Sequence, residues 1–222
     1  MIDATDVSLK YKDKTLALSE VNLEIKEGEL VYITGPSGSG KTSLLKLFLG
    51  MEYPTSGTLT VLGQQMKKKE SRKIRKLRRR IGPVFQEFKL IEGRTALENV
   101  MTGMRFLGIL PRRMRLEASA ALDRVGLGHK KLSLVENLSW GEAQRVAIAR
   151  AVARKPKLIL ADEPTGNLDH ENALHILELL RSFKDIDTTV IITTHATHLI
   201  EDELDATFIH VDCGKITVER RD

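Results

Sequence analysis

The chain has only one cysteine, Cys213, in 222 residues. No intrachain disulfide can form, and the expected compartment is the reducing cytoplasm. Long apolar runs are missing too. No stretch reaches the roughly 18 apolar residues that a bilayer-crossing helix needs. The opening residues, Met1-Ile2-Asp3-Ala4-Thr5-Asp6, carry neither the basic nor the apolar part of a signal peptide. There is no internal repeat and no low-complexity linker. These absences leave one compact domain with room for a smaller lobe.

What is present is an ordinary globular composition, 41% hydrophobic and 29% charged. The formal net charge of +5 conceals a strong asymmetry. Residues 67–80 hold ten Lys/Arg and one Glu, a local +9, so the remainder sums to −4. Such a patch suits either an anionic partner surface or a solvated helix face. Charge alone does not choose between nucleic acid and anionic lipid headgroups.

Val7, Leu9 and Tyr11 alternate with polar residues, as do Val21, Leu23 and Ile25, which predicts two half-buried antiparallel strands. Short apolar runs at 30–33, 81–85, 158–161 and 190–193 read as buried strands, with a further strand at 58–62. Helical spacing follows at 42–49, through the basic segment, and at 170–183 and 196–203. From about 87 to 155 the pattern is mainly helical, broken at Gly93, at Gly108-Ile109-Leu110-Pro111 and at Gly126-Leu127-Gly128. The end reads as a hairpin around Asp212-Cys213-Gly214-Lys215. The alternation predicts an α/β fold with a mostly parallel core sheet, an N-terminal antiparallel β subdomain and an inserted helical subdomain. The core would be formed by about 1–86 and 156–222, the helical subdomain by about 87–155.

Gly35-Pro36-Ser37-Gly38-Ser39-Gly40-Lys41-Thr42 matches G-x-x-x-x-G-K-[ST] between a buried strand and a helix. Its glycines let backbone N–H groups turn inward toward phosphate oxygens, and the helix adds its positive end. Lys41 would neutralise β- and γ-phosphates and Thr42 would ligate Mg²⁺. Ser43, next in line, is grouped with this ATP-binding loop. The run 158–161 ends in Asp162 and Glu163, where strand ends open onto a ligand crevice. Asp162 suits Mg²⁺, and Glu163 suits the water that must be oriented and deprotonated. His195 ends another strand at the same sheet edge, within reach of a γ-phosphate. Ser139, with Glu142 three residues later, makes a capping box at the start of a helix. That helix start with its nearby Gly141 is a capped end or a second phosphate site.

A phosphate loop, then Gln86 after an apolar strand, then Leu138-Ser139-Trp140-Gly141-Glu142, then Asp162-Glu163, then His195 resembles the ATP-binding-cassette family over essentially the whole chain. The resemblance implies a P-loop ATPase. Tyr11 would stack on adenine. Gln86 would sense Mg²⁺ and water and couple the site to a partner. Ser139 and Gly141 would meet the γ-phosphate of ATP held by a second copy, with Glu142 in the same segment. Asn167-Leu168-Asp169 would bridge the two sites. Two ATP would thus lie between two chains in a homodimer. Residues 77–100 resemble the cell-division branch of the family, with the ATPases of lipoprotein release and MacB-type export as near relatives. The implied partner is an integral membrane protein, an FtsX-like permease, with the chain peripheral on the cytoplasmic face of the inner membrane. Residues 67–80 offer a contact with that membrane.

The chain departs from the family at Trp140, where a signature glycine is expected. An indole there would leave Ser139 and Gly141 working if it points outward, or weaken closure or slow turnover if it does not. Trp140 also motivates a non-hydrolytic, nucleotide-gated scaffold, against which Glu163 and His195 speak. A DNA-associated cassette ATPase is the other alternative. It would need coiled-coil or zinc insertions that this chain lacks, so no nucleic acid is expected. A simple P-loop kinase has no use for the Ser139 segment. Pro83 marks its strand as an edge or as irregular at its entry.

Overall fold

Alternation along the first 25 residues becomes a twisted antiparallel pair, β1 (Ile2–Lys10) and β2 (Leu16–Ile25), with Ile2 opposite Ile25 and Leu9 opposite Leu18. The computed structural model describes residues 1–221. It has two compact units, Met1–Arg78 with Lys184 onward, and Arg79–Phe183.

In the first unit, β3 (Leu30–Thr34) is buried at every position and runs through the phosphate loop into α1 (Lys41–Phe48). β4 (Ser56–Val61) pairs with the free side of β1, and β5 (Gln64–Gln65) finishes that sheet. The later strands β8 (Thr189–Thr193) and β9 (Ala206–Asp212) flank β3 in parallel register. β10 (Lys215–Arg221) returns antiparallel to β9, as the hairpin reading required. Apolar runs of this kind, buried on both faces, are what parallel strands demand. Tyr32 stacks on Phe208 at 5.6 Å to bind β3 to β9.

The second unit opens with β6 (Ile81–Val84), whose only strand neighbour among the described residues is β7 (Leu158–Asp162), in parallel. Pro83 therefore sits on an edge strand, where its missing N–H leaves no gap in a ladder. Between them lie α3 (Ala96–Thr102), α4 (Pro111–Arg124) and α5 (Trp140–Val152), and α6 (His170–Arg181) follows β7. α5 is buried on most of its surface and packs on α3, α4 and β6.

Two helical expectations are corrected. The basic segment is not one helix. A 3₁₀ turn at Lys68–Glu70 leads into α2 (Ser71–Leu77) and another 3₁₀ turn at Arg78–Arg80. Only Ile74 and Leu77 of α2 are buried, so repulsion among its cations meets little compensating burial. Arg78 leaves the charged face to cap α1, donating to Leu49 O at 2.8 Å and to Gly50 O at 2.5 Å. The stretch 196–203 forms a single 3₁₀ turn, Thr197–Leu199. No helix among the described residues is long and apolar enough to cross a membrane.

Candidate functional site

The phosphate loop is shaped from behind by the β9–β10 hairpin. Gly35 has φ 138°, and a Cβ there would lie 2.1 Å from Val211 O, a separation no side chain tolerates. Gly40 has φ 119°, and its Cβ would meet Ala17 O at 2.7 Å. The Gly214 N–H donates to Ser39 O at 3.0 Å, so the hairpin turn holds the loop by a backbone bond as well. Lys41 is 6% exposed, and its ammonium donates to Gly35 O at 2.8 Å and Pro36 O at 3.0 Å. Pro36, Ser37, Gly38 and Thr42 face solvent. The N-terminus of α1 has no side-chain cap. Ser39 Oγ is buried with no hydrogen-bond partner among the described residues. A concave loop with a cation, an uncapped helix end and a hydroxyl lacking a partner is built for an anion with several acceptor oxygens.

Tyr11 joins the loop by a route the sequence did not spell out. Its hydroxyl lies 3.0 Å from Ser43 Oγ in the first turn of α1. His195, exposed, follows Thr194, whose N–H donates to Ile33 O at 3.0 Å, two residues before Gly35. The first unit thus gathers Tyr11, the loop from Gly35 to Ser43, and His195.

The second unit gathers the carboxylates, Gln86 and the capped helix. Asp162 closes β7 and Glu163 follows it, both half-buried. Glu163 has φ 45°, a left-handed backbone unusual outside glycine. Gln86 is exposed, and its Nε2 lies 3.8 Å from where a Gly166 Cβ would sit, in the turn after Glu163. Ser139 caps α5: its hydroxyl accepts from the Glu142 N–H at 3.3 Å, and Glu142 Oε2 accepts from the Ser139 N–H at 2.9 Å. Lys130 adds a 2.6 Å contact to Glu142 Oε1. That ammonium, with the Ser139 backbone N–H, holds the Glu142 carboxyl below the usual carboxylate range. Lys130 was missed in the sequence, where a lysine twelve residues upstream gives no local signal. Asp169 caps α6, accepting from the Asn172 N–H at 2.9 Å and from Asn172 Nδ2 at 2.7 Å. Those hydrogen bonds, the backbone one first, lower its pKa.

The ABC transporter family profile matches residues 18–166. The chain belongs to the ABC transporter family. Its relatives include the cell division ATP-binding proteins FtsE of Haemophilus influenzae, 43% identical over 90% of this chain and 93% of that one, and of Escherichia coli, 42% identical over 90% of each. FtsE of Mycobacterium tuberculosis is 41% identical over 90% of this chain and 88% of its own. Among solved structures, the ABC cassette MJ0796 in a dimeric post-hydrolysis state bound to ADP and Pi has a TM-score of 0.88 at 34% identity. It covers 100% of this chain and 99% of that one. The α/β cassette fold and the FtsE-like character read from the motifs are thereby established, and the chain is an ATP-binding, ATP-hydrolysing subunit of the ABC type.

Within that family the signature turn here is unusual but sound. Trp140 is the first helical residue of α5, a position without positive φ, so the indole fits the backbone and the capping box stays intact. Gly141 is open: the nearest atoms to an added Cβ are Leu168 Cδ2 at 3.9 Å and Arg145 Nη1 and Asn172 Oδ1 at 4.0 Å.

Proposed function

We propose that this chain is the ATPase of an FtsEX-type complex. It would dimerise around two ATP and drive an FtsX-like permease that controls cell-wall hydrolysis during division. What supports the reading most is that relatives named for cell division align over 90% of the chain.

In this reading Lys41 neutralises the β- and γ-phosphates of ATP, and the loop from Gly35 to Ser43 cradles them with backbone N–H groups. Tyr11 stacks on adenine. Thr42, Asp162 and Gln86 would hold Mg²⁺. When bound, the ion neutralises charge on the phosphate oxygens. No cluster of three His, Cys, Asp or Glu side chains occurs among the described residues, and Mg²⁺ held largely by phosphate and water needs none. Glu163 orients the attacking water and takes its proton. Gln86 positions that water from the other side, and His195 contacts the γ-phosphate. Ser139 and Gly141, with Glu142 fixing their turn, meet the γ-phosphate bound by the second copy, and Asp169 lies at the dimer seam.

The chain would sit at the cytoplasmic face of the inner membrane through its permease. The exposed cations Lys67, Lys68, Lys69, Arg72, Lys73, Arg75, Lys76, Arg79 and Arg80 would meet anionic headgroups there.

The test is steady-state hydrolysis beside Glu163→Gln, with ATP-dependent dimerisation followed by light scattering. The expected outcome is a kcat lowered about 10²- to 10⁴-fold with dimerisation kept. Equal turnover by both proteins would remove Glu163 from the chemistry. Stimulation of ATP turnover by an FtsX-like permease in vesicles, and by no lipoprotein-release permease, tests the choice of partner.

A further inference from the structure

One contact in the second unit serves no motif. The Trp140 and Phe88 rings lie 4.5 Å apart between centroids and are tilted by 59°, a geometry aromatic pairs favour. Trp140 remains 47% exposed, so it is not filling a core. Phe88 and its neighbour Lys89 both have left-handed backbones, φ 51° and 52°. Successive residues with side chains hold that conformation only where surroundings impose it. What imposes it here comes from α5. Arg150 donates from Nη1 to Lys89 O at 2.6 Å and from Nη2 to Phe88 O. Burial of that guanidinium lowers its pKa. The Arg150 side chain has room because Gly103 lacks a Cβ, which would lie 2.9 Å from Arg150 Cγ.

The helix therefore grips the 88–89 turn twice, at its N-terminal residue and again about 15 Å along its axis. Gln86 stands two residues before that turn, with its amide beside Gly166 in the turn after Glu163.

We infer that Trp140 is a positioning residue: its ring clasps Phe88 and so fixes the Gln86 turn to the signature helix, making the two one mechanical piece. The indole has left the phosphate side of the signature turn to Ser139 and Gly141 and has been given other work. A glycine at 140 would remove the ring contact and leave α5 tied to the turn through Arg150, beside the turn's own bonds from the Phe88 N–H to Phe85 O and from Lys89 to Glu87. The inference rests on the role proposed above for Gln86.

Trp140 is the only tryptophan, so intrinsic fluorescence reads the clasp without a label. The full-length protein would be compared with Phe88→Ala, Phe88→Leu, Trp140→Gly, Trp140→Phe and the Phe88→Ala/Trp140→Gly double variant. Phe88→Leu keeps apolar volume and guards against a folding defect. Acrylamide quenching should rise up to about twofold in both Phe88 variants as the half-exposed ring is released. Both Phe88→Ala and Trp140→Gly should lower kcat about three- to tenfold with KM for ATP unchanged, the double variant falling no further. Trp140→Phe should recover most of the loss. Unchanged quenching in the Phe88 variants overturns the clasp. Additive losses, or a higher kcat in Trp140→Gly, overturn its role in positioning. Gln86→Ala separates the two readings: if it leaves kcat at the parental value the role of Gln86 fails, whereas quenching still reports the clasp.

Discussion

Two helices begin at the residues proposed to meet phosphate, and their N-termini are built in opposite ways. α1 starts at Gly40 with no side-chain cap, behind a loop whose glycines are required by the protein's own backbone, Val211 O and Ala17 O. α5 starts at Ser139 inside a complete capping box, and a Cβ on its Gly141 would make only ordinary contacts, none nearer than 3.9 Å. The first terminus is finished from within and leaves its donors for a phosphate. The second engages the Glu142 N–H within its own box and keeps a glycine that no close contact in the chain requires. A glycine that nothing inside the chain demands points to something outside it. Under the function proposed above, that something is the ATP held by another copy.

The sharpest way to break this comparison is to place the same methyl group at both ends. Gly35→Ala should destabilise the first unit by about 3 kcal/mol, from overpacking and the left-handed backbone. In a domain of this size that lowers Tm by roughly 6–12 °C. Gly141→Ala should leave Tm unchanged or raise stability by up to about 1 kcal/mol, because alanine suits a helix better. Its effect should fall on ATP-driven dimerisation in light scattering. Equal thermal losses in the two variants would dissolve the contrast.

A smaller effect is expected from Ser139→Ala. Losing the cap should cost about 1 kcal/mol, read as a Tm lower by roughly 2–4 °C. α1 has no corresponding cap to lose. The smallest effect concerns pH. The Glu142 carboxyl is held low by Lys130 and by the Ser139 N–H. A carboxyl whose folded pKa lies below its unfolded value adds stability that is complete above the ordinary carboxylate range and lost as pH falls through the folded pKa. Lys130→Met should therefore flatten the fall of Tm between neutral and acid pH. An unchanged profile would show that this pair contributes nothing measurable.

Much of this was legible in the sequence, and unevenly so. The β1–β2 pair, the buried strands and the phosphate loop are local signals, carried by period, burial and glycine spacing. The broken basic segment was not, because seven residues with two buried positions fall below what helical spacing alone can judge. Glu163 was chosen for its carboxylate, but nothing local announces its left-handed backbone. The grip of Arg150 on Phe88 and Lys89 spans about sixty residues and depends on Gly103 standing aside, a long-range fact with no periodicity to betray it. Trp140 read as a departure with two possible outcomes because only the motif was visible, not its neighbour Phe88.

The support of the phosphate loop by the β9–β10 turn bears on how the protein is made. The loop's motif is complete by residue 42, yet Val211 O and the Gly214 N–H that shape it leave the ribosome about 170 residues later, when nearly the whole chain has been translated. A nascent or clipped chain ending before 206 would carry the motif intact and lack the hairpin behind it. The first unit is thus closed last of all, by the strands that stand behind its earliest motif.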